Sequence, residues 1–241
     1  MSRAGNAART ATGVLGELLI TLGVLLLLFV AWQLWWTDVR ADMAQGERTD
    51  QLQQQWGGFE PDDLPDPAEP VDPGEPPVLP ELAAGEAFGI VHVPRFGQGY
   101  QPRPVIEGTS QDLLKDGVGH YPGTALPGAV GNVALAGHRV TYGKPFNQVE
   151  ELVEGDAVVL ETEQAWFTYR VTTTKIVNPR DVDVIAPVPG DPTAVPTERM
   201  LTLTTCHPMF SARERYIVHA VLETWQPRSA GEPVALTQGA G

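Results

Sequence analysis

The only cysteine in 241 residues, Cys206, ends the run TLTTC at 202–206. His138 ends GNVALAGH at 131–138, and Arg215 opens RYIVHAVLETW at 215–225. A thiolate attacks carbonyl carbon, an imidazole moves the accompanying proton, and a guanidinium stabilises a developing oxyanion. A strand sends alternate side chains to opposite faces. Leu201 and Leu203 then share one face, and Thr202, Thr204 and Cys206 take the other. Val133 and Leu135 likewise oppose Ala134, Ala136 and His138. Tyr216, Val218, Ala220 and Leu222 leave Arg215 with Ile217 and His219. If the Leu/Val faces line a core, all three reactive side chains point away from it, each at a strand end. Singly, each has a plainer reading: a small buried apolar residue, a turn histidine, a paired or exposed arginine. His92, His120, His207 and His219 read as structural, since their spacings match no metal motif.

The intervening sequence supplies the strands. GIVHVPRF (89–96), RPVIEG (103–108), DAVVLET (156–162) and AWFTYRVTTTKIV (165–177) join the three segments above as candidates. Pro122-Gly123, Pro127-Gly128 and Pro189-Gly190 punctuate them. Only Ser110–Lys115 and Asn147–Val153 look helical, and both are short. With Gly 25 and Pro 22, the pattern predicts an all-β barrel or sandwich. One cysteine excludes an intrachain disulfide and any zinc site needing two thiolates. No cofactor and no metal are expected. The acids Glu150, Glu151, Glu154 and Asp156 lack the spacing of a calcium loop and read as a solvated turn.

Net charge is −14, from 16 basic and 30 acidic residues. Most of it falls within 42–85, so it says little about the folded part, and a pI near 4.7 argues against nucleic acid as a partner. Residues 18–36, LLITLGVLLLLFVAWQLWW, match the roughly 20 residues of a membrane-spanning helix. Trp32, Trp35 and Trp36 sit at its far end, and Arg3 and Arg9 lie before it. The reading is a cytoplasmic N-terminus at 1–17, an uncleaved single-pass plasma-membrane anchor at 18–36, and an extracytoplasmic remainder. A cleaved signal peptide is the rival, but no small-x-small site follows Trp36. Outside the cell a free thiol is open to oxidation, so its retention favours a functional cysteine. Residues 37–85, Pro-rich and acidic from 57 to 80, read as an extended tether. The folded domain is expected at 86–228, with a flexible tail at 229–241.

These residues resemble the sortase family. TLTTC with Arg215 nine residues beyond the cysteine, NVALAGHR at 132–139 and GIVHVPRFG at 89–97 carry the resemblance. HYPGTALPG (120–128), NPRDVDVIAPVPG (178–190) and CHPMFSARERYIVHA (206–220) are most similar to the class E housekeeping sortases of actinobacteria. The resemblance implies a closed eight-stranded β-barrel with short helices, preceded by one N-terminal transmembrane helix. It implies a cysteine transpeptidase that cleaves an LAxTG- or LPxTG-type sorting signal between Thr and Gly. A thioacyl-enzyme then passes the exported protein to an amine of the peptidoglycan precursor. Cys206 would be the nucleophile, His138 the general acid and then base, and Arg215 the oxyanion partner, with Arg213 a nearby competitor for that role. Tyr121, Thr205 and Ala136 would contact substrate. A hydrolase using the same dyad and a pilin-polymerising sortase remain alternatives. The latter commonly carries a lid, for which Asp62, Asp66 and Asp72 are candidates, but no aromatic follows them closely enough to plug a groove.

Overall fold

Short β-branched and aromatic runs separated by Gly/Pro turns close into one barrel. The computed structural model describes residues 3–57 and 74–238. The strands are β1 (Ala87–His92), β2 (Arg103–Glu107), β3 (Val118–His120), β4 (Gly131–Ala136), β5 (Ala157–Thr162), β6 (Ala165–Val177), β7 (Arg199–His207) and β8 (Glu214–Pro227). They close in the order β1-β2-β3-β4-β7-β8-β6-β5. The pairs β2/β3 and β4/β7 are parallel and the others antiparallel. Closure leaves no free sheet edge. Seven strands coincide with the candidate segments; β3 is only three residues of VGH, too short to show a period.

The expected core faces are the observed ones. Val133, Leu135, Leu201, Leu203, Val218 and Ala220 join Val91, Val105, Leu160 and Phe167 in one buried cluster. Each large side chain so buried contributes about 1.5–3 kcal/mol. The opposite face of β4, β7 and β8 is not bare. Its lower part is roofed by the β6–β7 connection, where Asn132 Nδ2 donates to the carbonyl of Ala186 at 3.0 Å. Thr202 Oγ1 donates to Asn132 Oδ1 at 2.8 Å, and its oxygen lies 2.9 Å from His219 Nδ1.

Among the described residues one helix, α1 (Arg3–Gln55), precedes the barrel. Within 18–36 the described apolar side chains are exposed on the helix surface, as a span facing lipid requires. It then continues for about five more turns through residues assigned to the tether, because a polar stripe holds it on the barrel. Asp42 pairs with Arg103 at 2.6 Å, and Thr49 Oγ1 donates to the Pro102 carbonyl at 3.4 Å. Leu52 is buried, and Gln53 Nε2 donates to Glu161 at 3.3 Å. Residues 37–55 are therefore docked helix rather than extended chain. Residues 74–85 also lie against the barrel, with Leu79 and Leu82 on the core cluster and Trp225 Nε1 donating to the Gly74 carbonyl at 2.9 Å. The Pro/acidic stretch between them, including Asp62, Asp66 and Asp72, lies outside the described residues.

The C-terminal tail departs from expectation too. Arg228 is buried, donates to Glu161 at 3.0 Å and to the Trp56 and Gly57 carbonyls just beyond α1, and stacks over Trp56. A cation there satisfies carbonyls the helix leaves open. Gly231 and Pro233 are buried behind it, and α2 (Val234–Gln238) follows.

Candidate active site

Strand register assembles the site. Cys206 is paired directly with Arg215 across the antiparallel β7/β8 ladder, which puts their side chains on one face with Cβ atoms about 4.5–5.5 Å apart. In the parallel β4/β7 ladder Ala136 pairs with Thr204, and Gly137 N–H continues it to the Thr204 carbonyl at 3.1 Å. Carried two residues further along both chains, the same register would set His138 beside Cys206. Cys206 and Arg215 thus face each other on neighbouring strands and His138 follows the end of β4, all three part-exposed.

The bend that presents His138 depends on close backbone approach. A Cβ on Gly137 would lie 2.6 Å from the buried Phe146 ring, so only glycine fits. Phe146 N–H then returns to the His138 carbonyl at 3.1 Å. His138 packs against Tyr142, with ring centroids 5.0 Å apart. Its Nε2 is buried and has no hydrogen-bond partner among the described residues. Burial, and secondarily the Lys115 ammonium, hold the imidazole below its ordinary pKa. The protonated ring is therefore the disfavoured form at neutral pH.

That assignment makes a pH prediction. In a Cys–His pair the active form carries one proton between the two groups and is lost when falling pH protonates both. With the imidazole held low, the acid limb of kcat/KM lies below the ordinary histidine value of about 6.5. Lys115→Gln removes a cation that opposes ring protonation, so the limb should move to higher pH. A limb that stays put or moves down would show that it reports another group.

Arg215 Nη1 donates to the carbonyls of Ala212 and Glu214, at 3.1 and 3.0 Å. Arg213 is exposed and lies outside β8. Tyr121 directs its hydroxyl to Thr204 Oγ1 at 3.0 Å, on the cysteine's face two residues before it. Ala136 is on that same face. Thr205 is not. It pairs with Tyr216 towards the core, is 3% exposed, and donates its hydroxyl to the Gly137 carbonyl at 2.7 Å. From there it braces the His138 turn and does not reach a peptide across the groove face.

A charged cluster behind the cysteine was not foreseen. Arg139, 2% exposed, donates to the Cys206 carbonyl at 3.3 Å and pairs with Glu150 at 2.6 Å. Glu150 also meets His207 Nδ1 at 2.9 Å, and Arg139, joined by His207, holds its carboxyl below the usual range. Glu150 stays exposed on its turn, as expected, and from there pairs with Arg139 and His207. Its neighbour Asp156 accepts from Val153 N–H and pairs with Arg95 at 3.7 Å. His120 is held by Glu107, Thr124 and the Ala125 carbonyl, and His92 by Glu161.

A closed mixed barrel with a part-exposed cysteine paired to an arginine, and a histidine just past the end of the strand beside the cysteine's, has the parts of a cysteine acyl-transfer enzyme. The sortase-domain model matches residues 91–223, and the chain belongs to the sortase family. It is 37% identical over 250 residues to sortase SrtE1 of Streptomyces coelicolor, covering 98% of this chain and 64% of that one. The barrel is similar to the structure of sortase E from Streptomyces avermitilis, at 45% identity and TM-score 0.59, covering 64% and 99% of the two chains. The SrtA sortase from Actinomyces oris gives 40% identity and TM-score 0.66 over 70% and 98%. The match to class E enzymes agrees with the resemblance in the sequence.

Proposed function

We propose that this chain is a membrane-anchored cysteine transpeptidase that cleaves an LAxTG- or LPxTG-type sorting signal between Thr and Gly. The single observation that supports the reading is the strand register of a sortase barrel, which pairs Cys206 with Arg215 and Ala136 with Thr204, two residues before His138 and Cys206. The Cys206 thiolate attacks the Thr carbonyl carbon, and the guanidinium of Arg215 faces the oxygen that gains charge. His138 gives its proton to the departing Gly amine as the C–N bond breaks, leaving a thioester on Cys206. An incoming amine of a peptidoglycan precursor yields its proton to His138, forms the new amide and frees the thiolate. Ala136 and Tyr121 border the path a bound peptide would follow. An alanine at the second signal position keeps a backbone N–H that proline lacks, and the Tyr121 hydroxyl is able to accept from it.

The span at 18–36, with arginines before it, supports a cytoplasmic N-terminus and an extracytoplasmic barrel at the plasma membrane. Exported proteins bearing C-terminal signals and the wall precursor are then both within reach.

Intact-mass measurement on the full chain in detergent, with an LAxTG peptide and a glycine-type amine, tests the reading. A thioester adduct on Cys206, formed faster than with LPxTG, followed by an amide-linked product, is the expected result. Adduct followed by hydrolysis alone would make the protein a hydrolase. Absence of any adduct with either peptide would remove the enzyme assignment.

A further inference from the structure

The segment after His138 is held in an unfavourable conformation. Tyr142, Gly143 and Lys144 have successive φ values of 52°, 74° and 47°, all in the left-handed region. For residues with a side chain such geometry costs on the order of 1–3 kcal/mol and persists only where surroundings enforce it. The enforcing groups lie on α1. Gln45, with 0% exposure, donates through Nε2 to the carbonyl of Tyr142 at 2.8 Å and to that of Lys115 at 3.0 Å. Asp38 accepts from Gly143 N–H at 3.1 Å and pairs with Lys144 at 2.5 Å. Arg103 donates to Gln45 Oε1 at 3.3 Å and fixes that amide's orientation.

Tyr142 and Lys115, whose carbonyls Gln45 bridges, are the residues that border His138. The Tyr142 ring packs on the imidazole, and the Lys115 ammonium lies 5.9 Å from the centre of that tyrosine ring. Asp38 follows Trp36, the last residue of the apolar span, by about 3 Å of helical rise. The helix that leaves the membrane is therefore continuous with the clamp on the loop.

We infer that the juxtamembrane part of α1 is a positioning element of the catalytic site: Gln45 and Asp38 fix the Tyr142–Lys144 loop and thereby the orientation of His138. The inference rests on His138 acting as proposed above. Misplacement of a catalytic group by about an ångström can lower a rate by up to about 100-fold, so the effect belongs in kcat rather than in peptide binding.

The test uses the full chain in detergent. Gln45→Met keeps a helical side chain of similar length but loses both donor bonds. Asp38→Leu removes the acceptor for Gly143, and Asp38→Asn retains it. Gln45→Met and Asp38→Leu should each lower kcat by about 10-fold or more with KM within about twofold. Hydrogen exchange at the 142–144 amides should quicken in both. Asp38→Asn should restore most of kcat, and Glu47→Gln, an exposed position on the same helix, should match wild type. Should Gln45→Met fail to fold, the Asp38 pair decides alone. Faster exchange with unchanged kcat, or unchanged exchange, would overturn the inference while leaving the transpeptidase reading intact. An inactive wild type would instead overturn that reading, while exchange still reports whether the helix holds the loop.

Discussion

Cys206→Ala should reduce peptide cleavage and amine ligation by about 10⁴-fold or more, because no other thiol is present to form the acyl intermediate. The loss should be chemical and not structural. Cys206 is part-exposed on the groove face, while the neighbours that fill the barrel, Leu203 and Thr205, point the other way. Replacing a sulfhydryl there by hydrogen opens no core cavity, so stability should change by no more than about 0.5 kcal/mol. Arg139 holds the residue's carbonyl, which alanine retains, so the strand end should keep its course. The measurement pairs peptide turnover with the thermal transition. Turnover near the wild-type level would end the nucleophile assignment, and a large fall in the transition temperature would mean that the sulfur packs structurally.

How much of this was legible beforehand follows from which interactions a sequence displays. Alternation along β4, β7 and β8 announces which face each side chain takes, so the common side of Cys206, His138 and Arg215 could be read residue by residue. What covers that side could not. The roof over Thr202 and His219 comes from the β6–β7 connection, whose side chains show no period. The same alternation gives Thr205 the parity of the core, so it braces the turn instead of facing the groove. The docked C-terminal third of α1 was missed because Asp38, Asp42, Gln45, Thr49 and Leu52 recur at helical spacing but are nearly all polar. A search for apolar periodicity passes over such a stripe. Glu150 was visible only as one acid among several, since its partners Arg139 and His207 reach it through the fold.

Arg215→Lys should lower kcat/KM by about 10²–10³-fold, the range for loss of one oxyanion donor. Positive charge is kept by the change; geometry is not. The guanidinium is planar, and its Nη1 is already anchored on the Ala212 and Glu214 carbonyls, which aims the rest of the fork. An ammonium on a flexible stem has no second nitrogen to hold that aim while facing the substrate oxygen. Register supplies the other half of the argument: Arg215 is the residue paired with Cys206. Arg213 precedes β8 and is exposed, so Arg213→Lys should stay within about twofold of wild type, as surface changes away from such contacts do. Turnover of one sorting peptide by both variants separates them. A large loss in Arg213→Lys with little in Arg215→Lys would place the oxyanion partner on the loop before β8 and require that loop to fold over the cysteine when peptide binds.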